Sequence, residues 1–346
     1  SFQKTVMGTW MLLVTCAVAV SISAANSYVV DITSGDDGNS GIDTTNAFST
    51  IQRCVNELKL SSPGAECLIR TGRYHEEVDI SGLQASGDNP YIIKGYEDEQ
   101  PIWDGTVPIQ SDTWNYDETS GICSTVLDQD IFALLLDDDL MTAARWPNAL
   151  WSDRSVFYND NWGHCANSSV YGYLIDDGTA GLANSGINAT GTMAILNIGS
   201  FMTYVQPVLH HEPSTSNFTY DHTPIGDIHW KSDKLQYYFE AGLDLLDSPE
   251  EWFYDKDSKI LYFMTPSGSC PEPGSTSLRG RTIDFGLKIT NTTGLTIANI
   301  TFLGSGIHAY SIDYEDSHID DITLNSVEFK FPSSSHRMLG STEEPA

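Results

Sequence analysis

Toward its C-terminal end this chain of 346 residues writes one pattern twice. Leu295-Thr-Ile297-Ala-Asn-Ile300-Thr-Phe302 and Ile322-Thr-Leu324-Asn-Ser-Val327-Glu-Phe329 match at all four apolar positions, 27 residues apart. A unit of that length with two short strands cannot enclose a core alone. Such units bury their apolar sides by stacking on one another, which is the arrangement of a β-solenoid. Strand alternation would produce the same match in another β protein, so both readings stand on this pattern alone.

The rest of the chain is also built of short strands. Before residue 60 there is a strand, Tyr28-Val-Val-Asp-Ile, and then a loop, Ser34-Gly-Asp-Asp-Gly-Asn-Ser-Gly. Helical spacing of Ala47/Phe48, Ile51, Cys54/Val55 and Leu58 predicts a helix over 44–59, with Asp43 or Thr44 as its cap. After Pro63-Gly64 the pattern is Cys67-Leu-Ile-Arg, Val78-Asp-Ile, Tyr91-Ile-Ile-Lys and Pro101-Ile-Trp, with no second convincing helix. Two hairpins are expected further on. One turns through Asp137-Asp138-Asp139 between Ile131–Leu136 and Leu140–Ala144, and the other joins Glu251–Tyr254 to Lys259–Met264. Seven of the eight tryptophans fall between Trp103 and Trp252, so 111–266 reads as a β-rich module of different texture. The expected division is a signal peptide at 1–25, an N-terminal cap and first coils at 26–110, an inserted module at 111–266, further coils at 267–335 and a truncated tail at 336–346.

Export is expected from several features. Lys4, the apolar run Trp10–Val20 and small residues at Ser23 and Ala25 describe a cleavable signal peptide, since the run is too short to span a bilayer. Glycosylation sequons follow at Asn167, Asn188, Asn217, Asn291 and Asn299, the last inside a strand pattern and expected to stay unused. Five cysteines remain after residue 25. Cys54 and Cys67 are the expected disulfide, one ending the helix and the other opening a strand, while Cys123, Cys165 and Cys270 are left unassigned. With 17 Lys+Arg against 47 Asp+Glu, the net charge of −30 argues against nucleic acid and anionic membrane surfaces as partners.

A family resemblance enters with particular residues. Ala47-Phe-Ser-Thr-Ile-Gln-Arg-Cys54 followed by Gly64-Ala-Glu-Cys-Leu-Ile-Arg-Thr-Gly-Arg-Tyr74-His-Glu-Glu resembles the start of right-handed parallel β-helix proteins of the pectin-lyase-like superfamily. Asn89-Pro-Tyr-Ile-Ile-Lys-Gly95 and Pro101-Ile-Trp-Asp-Gly105 continue the likeness. Ala144-Arg-Trp-Pro-Asn148 and Leu245-Leu-Asp-Ser-Pro-Glu-Glu-Trp-Phe-Tyr-Asp255 are similar to segments of β-helical secreted glycoside hydrolases. The resemblance implies an all-β, right-handed parallel β-helix with an N-terminal capping helix and a β-rich insertion. It also implies that family members run on for more coils than this chain holds.

On that reading the partner is a polysaccharide or other glycan. Candidate catalytic carboxylates are Asp313, Glu315 and Asp316, in a turn that also carries His318, Asp320 and Asp321. A solvated acidic turn is the bland alternative. Candidate substrate contacts are Arg145, Trp146, His308 and Trp252, chosen because aromatic faces stack on pyranose rings and Arg pairs with carboxylates. Arg145 is expected to pack the module first and to touch substrate second. His210, His211, His222 and His229 match no zinc spacing, no cofactor is expected, and calcium stays open through clusters such as Asp137–Asp139. Three functions remain open: a polysaccharide hydrolase, a lyase poorly supplied with basic residues, and a non-catalytic glycan-binding or surface protein. Nothing in the residues sets an oligomeric state.

Overall fold

The computed structural model describes residues 26–111, 114–198, 203–223, 230–231, 234–311 and 318–333. The chain is all-β apart from one α-helix and a few 3-10 turns among these residues. Three of its sheets are wholly parallel. The first holds Ser27–Val30, Glu66–Ile69, Tyr91–Gly95, Thr292–Ala298 and Ile319–Asn325 in that order. The second holds Arg73–Tyr74, Ile102–Asp104, Thr301–Leu303 and Glu328–Lys330. The third holds Val78–Ser81, Phe285–Thr290 and Gly306–Ala309. From Glu66 onward the chain visits the first, second and third sheets in rotation, and breaks off only between Asp104 and Phe285.

The repeat is the register of these sheets. Leu295 pairs with Ile322, Ile297 with Leu324 and Phe302 with Phe329. Apolar residues at matching heights therefore lie above one another. Trp103, Phe302 and Phe329 form a column with ring centroids 5.2 and 5.1 Å apart and nearly parallel planes. Around it Tyr74, Ile80, Ile93, Leu287, Ile289 and Ile297 make one buried core. The corners repeat as well. Left-handed backbone occurs at Gly294 and Asp321 (φ 66° and 52°), at Asn299 and Ser326 (both 54°), and at Gly304 and Phe331 (54° and 53°). Each pair is one repeat length apart. Gly, Asn and Asp accept this conformation readily, whereas a Phe does not.

The helix is shorter than its periodicity predicts. It spans Ile51–Leu58, with Thr50 as its N-cap accepting the Arg53 N–H at 3.2 Å. Residues 44–50 are held out of it by a competing backbone pairing, because Phe48 bridges to Val30 in parallel fashion. Asp43 instead closes its own turn, accepting the Thr45 and Asn46 N–H groups at 2.9 Å. The apolar face Ile51, Cys54, Val55 and Leu58 is buried on the same core as the parallel sheets. Glu76, brought alongside by the chain after Tyr74, accepts the exposed helix-start N–H groups of Ile51 and Gln52 at 3.0 and 3.1 Å. Cys54 and Cys67 are joined by a disulfide with Cα atoms 6.0 Å apart.

Residues between Asp104 and Phe285 make mainly antiparallel sheets around two further cores. Both expected hairpins form: Ala133–Leu136 with Asp139–Leu140, and Glu251–Asp255 with Ile260–Phe263. Asp137 and Asp138 both take positive φ, the two-residue turn that matches strand twist. A second disulfide, Cys123–Cys270, closes this region, and Cys165 is free. Where the chain leaves the second parallel sheet, the fully buried Asp104 carboxylate gathers both regions. It accepts from Arg73 and Arg279 at 2.9 Å each and from the Thr106 N–H and hydroxyl at 2.8 and 2.6 Å, while Arg73 also pairs with Asp138.

Candidate functional site

A cleft of about 510 Å³ opens where the antiparallel region meets the corner between the second and third parallel sheets. One wall comes from the antiparallel region, from Leu135 and Trp252 on strands and from Phe132, Met141 and Trp151 beside them. The other wall is the repeated corner itself, Gly304 and Phe331, followed by Pro332 and Ser333. Strand alternation decides what faces in. Ala143 pairs with Trp252 and both line the cleft, whereas their neighbours Thr142 and Glu251 pair with each other on the opposite face.

Arg281 ties the two walls together. It is almost fully buried, lies under the Phe132 ring at 5.1 Å, and donates to backbone carbonyls on both sides. Its Nε reaches Ile283 O at 3.0 Å, Nη2 reaches Asp284 O at 3.0 Å, and Nη1 reaches Phe331 O at 3.2 Å and also Ser333 O. Burial lowers its pKa to about 10, so it stays charged at neutral pH. Four of its five N–H donors are thereby committed to the protein's own backbone.

Glu251, behind Trp252, is fully buried, and desolvation raises its pKa to about 8. Its carboxyl accepts the N–H groups of Arg145, Asp247 and Ser248 at 3.3 Å each, contacts too long to offset the burial. It is therefore mostly protonated at pH 7. Among the described residues that line the cleft there is no Asp, Glu or His, and what they present is mainly aromatic and aliphatic.

The other expected site residues lie elsewhere. Arg145 and Trp146 are buried in the antiparallel region and do not line the cleft. The Arg145 guanidinium sits 3.9 Å over the Tyr238 ring and donates to Pro147 O and Asn161 O, and Trp146 stacks on Phe239. The polar Arg is held by carbonyls and a ring, and both side chains belong to the packing of this region. Of the four expected substrate contacts, Trp252 alone reaches the cleft. His308 is exposed on the third sheet, its ring between Phe285 and Tyr310 at 4.6 and 4.4 Å. Asp313, Glu315 and Asp316 lie outside the described residues, as do His229, the leader at 1–25 and the tail from 334. His318 and Asp320 nearby are exposed and 3.6 Å apart. Asn167, Asn188 and Asn291 are exposed, whereas Asn217 is half-buried in a strand opposite Ile175. Among the described residues no three His, Cys, Asp or Glu side chains converge as an ion site would require.

Sequence reasoning did not single out Phe132, Arg281 or Phe331. For Phe331 a signal existed, since the repeat places it at the position of Gly304. Nothing local distinguishes Arg281 or Phe132, whose roles arise only when distant strands meet.

No family model and no curated protein matches the chain. Among solved structures, one described as a glycoside hydrolase is similar over 80% of this chain and 50% of its own, at 16% identity and a TM-score of 0.62. Another, described as a complex of XylC with xylose, is similar over 80% of this chain and 35% of its own, at 12% identity and a TM-score of 0.42. The chain thus spans half the length of the glycoside hydrolase it matches, and shares its fold.

Proposed function

We propose that this chain is part of a secreted carbohydrate-active protein built as a right-handed parallel β-helix, and that the described cleft binds glycan. The observation that carries the reading is the cleft, whose walls hold the half-buried rings of Phe132, Trp151 and Phe331 together with the buried Trp252. Flat aromatic faces with few charges suit the C–H faces of pyranose rings. The β-helix reading is supported by the rotation of the chain through three parallel sheets and by corners recurring with the register. The glycoside-hydrolase likeness of the fold agrees with it. Export is supported by the leader-like first 25 residues and by two disulfides.

Within that class the reading is hydrolase-like, with glycan binding supplied by the cleft and the cleaving carboxylates by Asp313, Glu315 and Asp316 or by further coils. Elimination is the weaker chemistry. A lyase needs cationic donors free to neutralise a uronate, and Arg281 spends its donors on carbonyls. A purely binding role is the second reading, favoured by a cleft lining that, among the described residues, is aromatic and aliphatic and carries no carboxylate. Incubating the full chain with neutral and uronic polysaccharides separates the three. New reducing ends mark hydrolysis, ultraviolet-absorbing unsaturated ends mark elimination, and retention without products marks binding. Failure to retain or cleave any polysaccharide would sink the carbohydrate reading.

A further inference from the structure

We propose that Phe331 is a sugar-stacking residue of the cleft, held in left-handed backbone so that its ring meets a neutral pyranose chain. The proposal rests on the carbohydrate reading above and names a residue and a ligand class for it. Phe331 has φ 53°, a region that a bulky side chain occupies only at a cost. The same corner one repeat earlier carries Gly304, at φ 54°, so the fold itself asks for no ring there. Glycine is the residue that satisfies this backbone without strain. The strained ring is not used for core packing. Phe331 is half-buried, stands outside the core of the parallel sheets, and lines the cleft with Trp151 and Trp252.

Its backbone is fixed from the opposite wall. Arg281 donates Nη1 to the carbonyl of Phe331 and also to that of Ser333, so the corner is clasped on both sides of Pro332. Strain of this kind persists where surrounding contacts over-determine it, and it concentrates at ligand sites. The ligand is a neutral sugar for two reasons. Arg281 is taken up by four carbonyl contacts and by an ion pair with Asp284 Oδ1 at 4.0 Å, and the net charge of −30 repels uronates at a distance.

The test is calorimetric titration of the full chain with cellohexaose, xylohexaose and mannohexaose, paired with thermal unfolding of each variant. Phe331→Gly and Phe331→Ala are each expected to weaken the best-bound hexasaccharide roughly tenfold or more, as truncation of an aromatic anchor does. Phe331→Tyr, which keeps the ring, is expected to stay within about threefold. Phe331→Gly is also expected to hold or raise Tm, because it relieves the backbone, whereas a packing residue would lose Tm on truncation. Binding by wild type that survives Phe331→Gly overturns the proposal alone. A lowered Tm in Phe331→Gly, marking the ring as structural, also overturns it. Absence of binding to all three sugars by wild type overturns both this proposal and the reading beneath it.

Discussion

Glu251 and Asp104 are both buried carboxyls, and they are stabilised in opposite ways. Asp104 is met by two guanidinium groups and two Thr106 donors, so it is held as a charged hub between the parallel and antiparallel regions. Replacing it with Ala leaves Arg279 buried without its carboxylate, and is expected to cost about 3–5 kcal/mol in denaturant unfolding. Glu251 is met by the backbone N–H groups of Arg145, Asp247 and Ser248, and Asp247 adds repulsion. With its pKa raised from 4.5 to about 8, the unfolded chain loses this proton first as pH rises. The contribution of Glu251 to stability is therefore fully present below about pH 4.5 and is lost between pH 4.5 and 8, the reverse of a salt-bridged carboxylate. Glu251→Gln removes the titration. Relative to wild type it is expected to gain roughly 1–3 kcal/mol in going from pH 5 to pH 8, read from unfolding curves at both. A difference that does not change with pH would refute this assignment.

Elements with a local signature were legible in the sequence, and those defined by a distant partner were not. Both hairpins could be read because acidic turn residues interrupt apolar runs, and the 27-residue offset could be read because the stacked strands share one pattern. The helix start was misread because Phe48 fits the helical period yet pairs with Val30, a choice fixed by tertiary contact. The cleft was mostly invisible. Trp252 could be guessed from residue type, but Arg281 matters only because it spans two walls far apart in sequence. The disulfide at the helix offers a test at this scale. Cys54 and Cys67 are 13 residues apart, and replacing both with Ser should cost about 3 kcal/mol in the chain-entropy view. The loss should be measurable as a lower denaturant midpoint with the Cys123–Cys270 bond intact.

At the scale of the whole molecule, charge and connectivity matter most. A net charge of −30 places the compact state under self-repulsion, so Tm is expected to rise as NaCl goes from about 10 to 150 mM, where the Debye length falls to about 8 Å. A flat response would mean that the charges are already neutralised locally.

The long excursion between Asp104 and Phe285 also has a consequence in time. Hydrogen-bonded neighbours such as Trp103 and Ser305 are 202 residues apart, so the early parallel strands are made long before the strands they pair with. At ordinary synthesis rates the edge of Tyr91–Gly95 stands open for roughly 10–40 s while the intervening residues emerge. During that interval the nascent chain holds an apolar, unpaired strand edge with no native partner to close it. Assembly of the parallel sheets is thereby set by the ribosome's clock, and a chain released or stalled within the excursion would leave that edge free to pair with another copy.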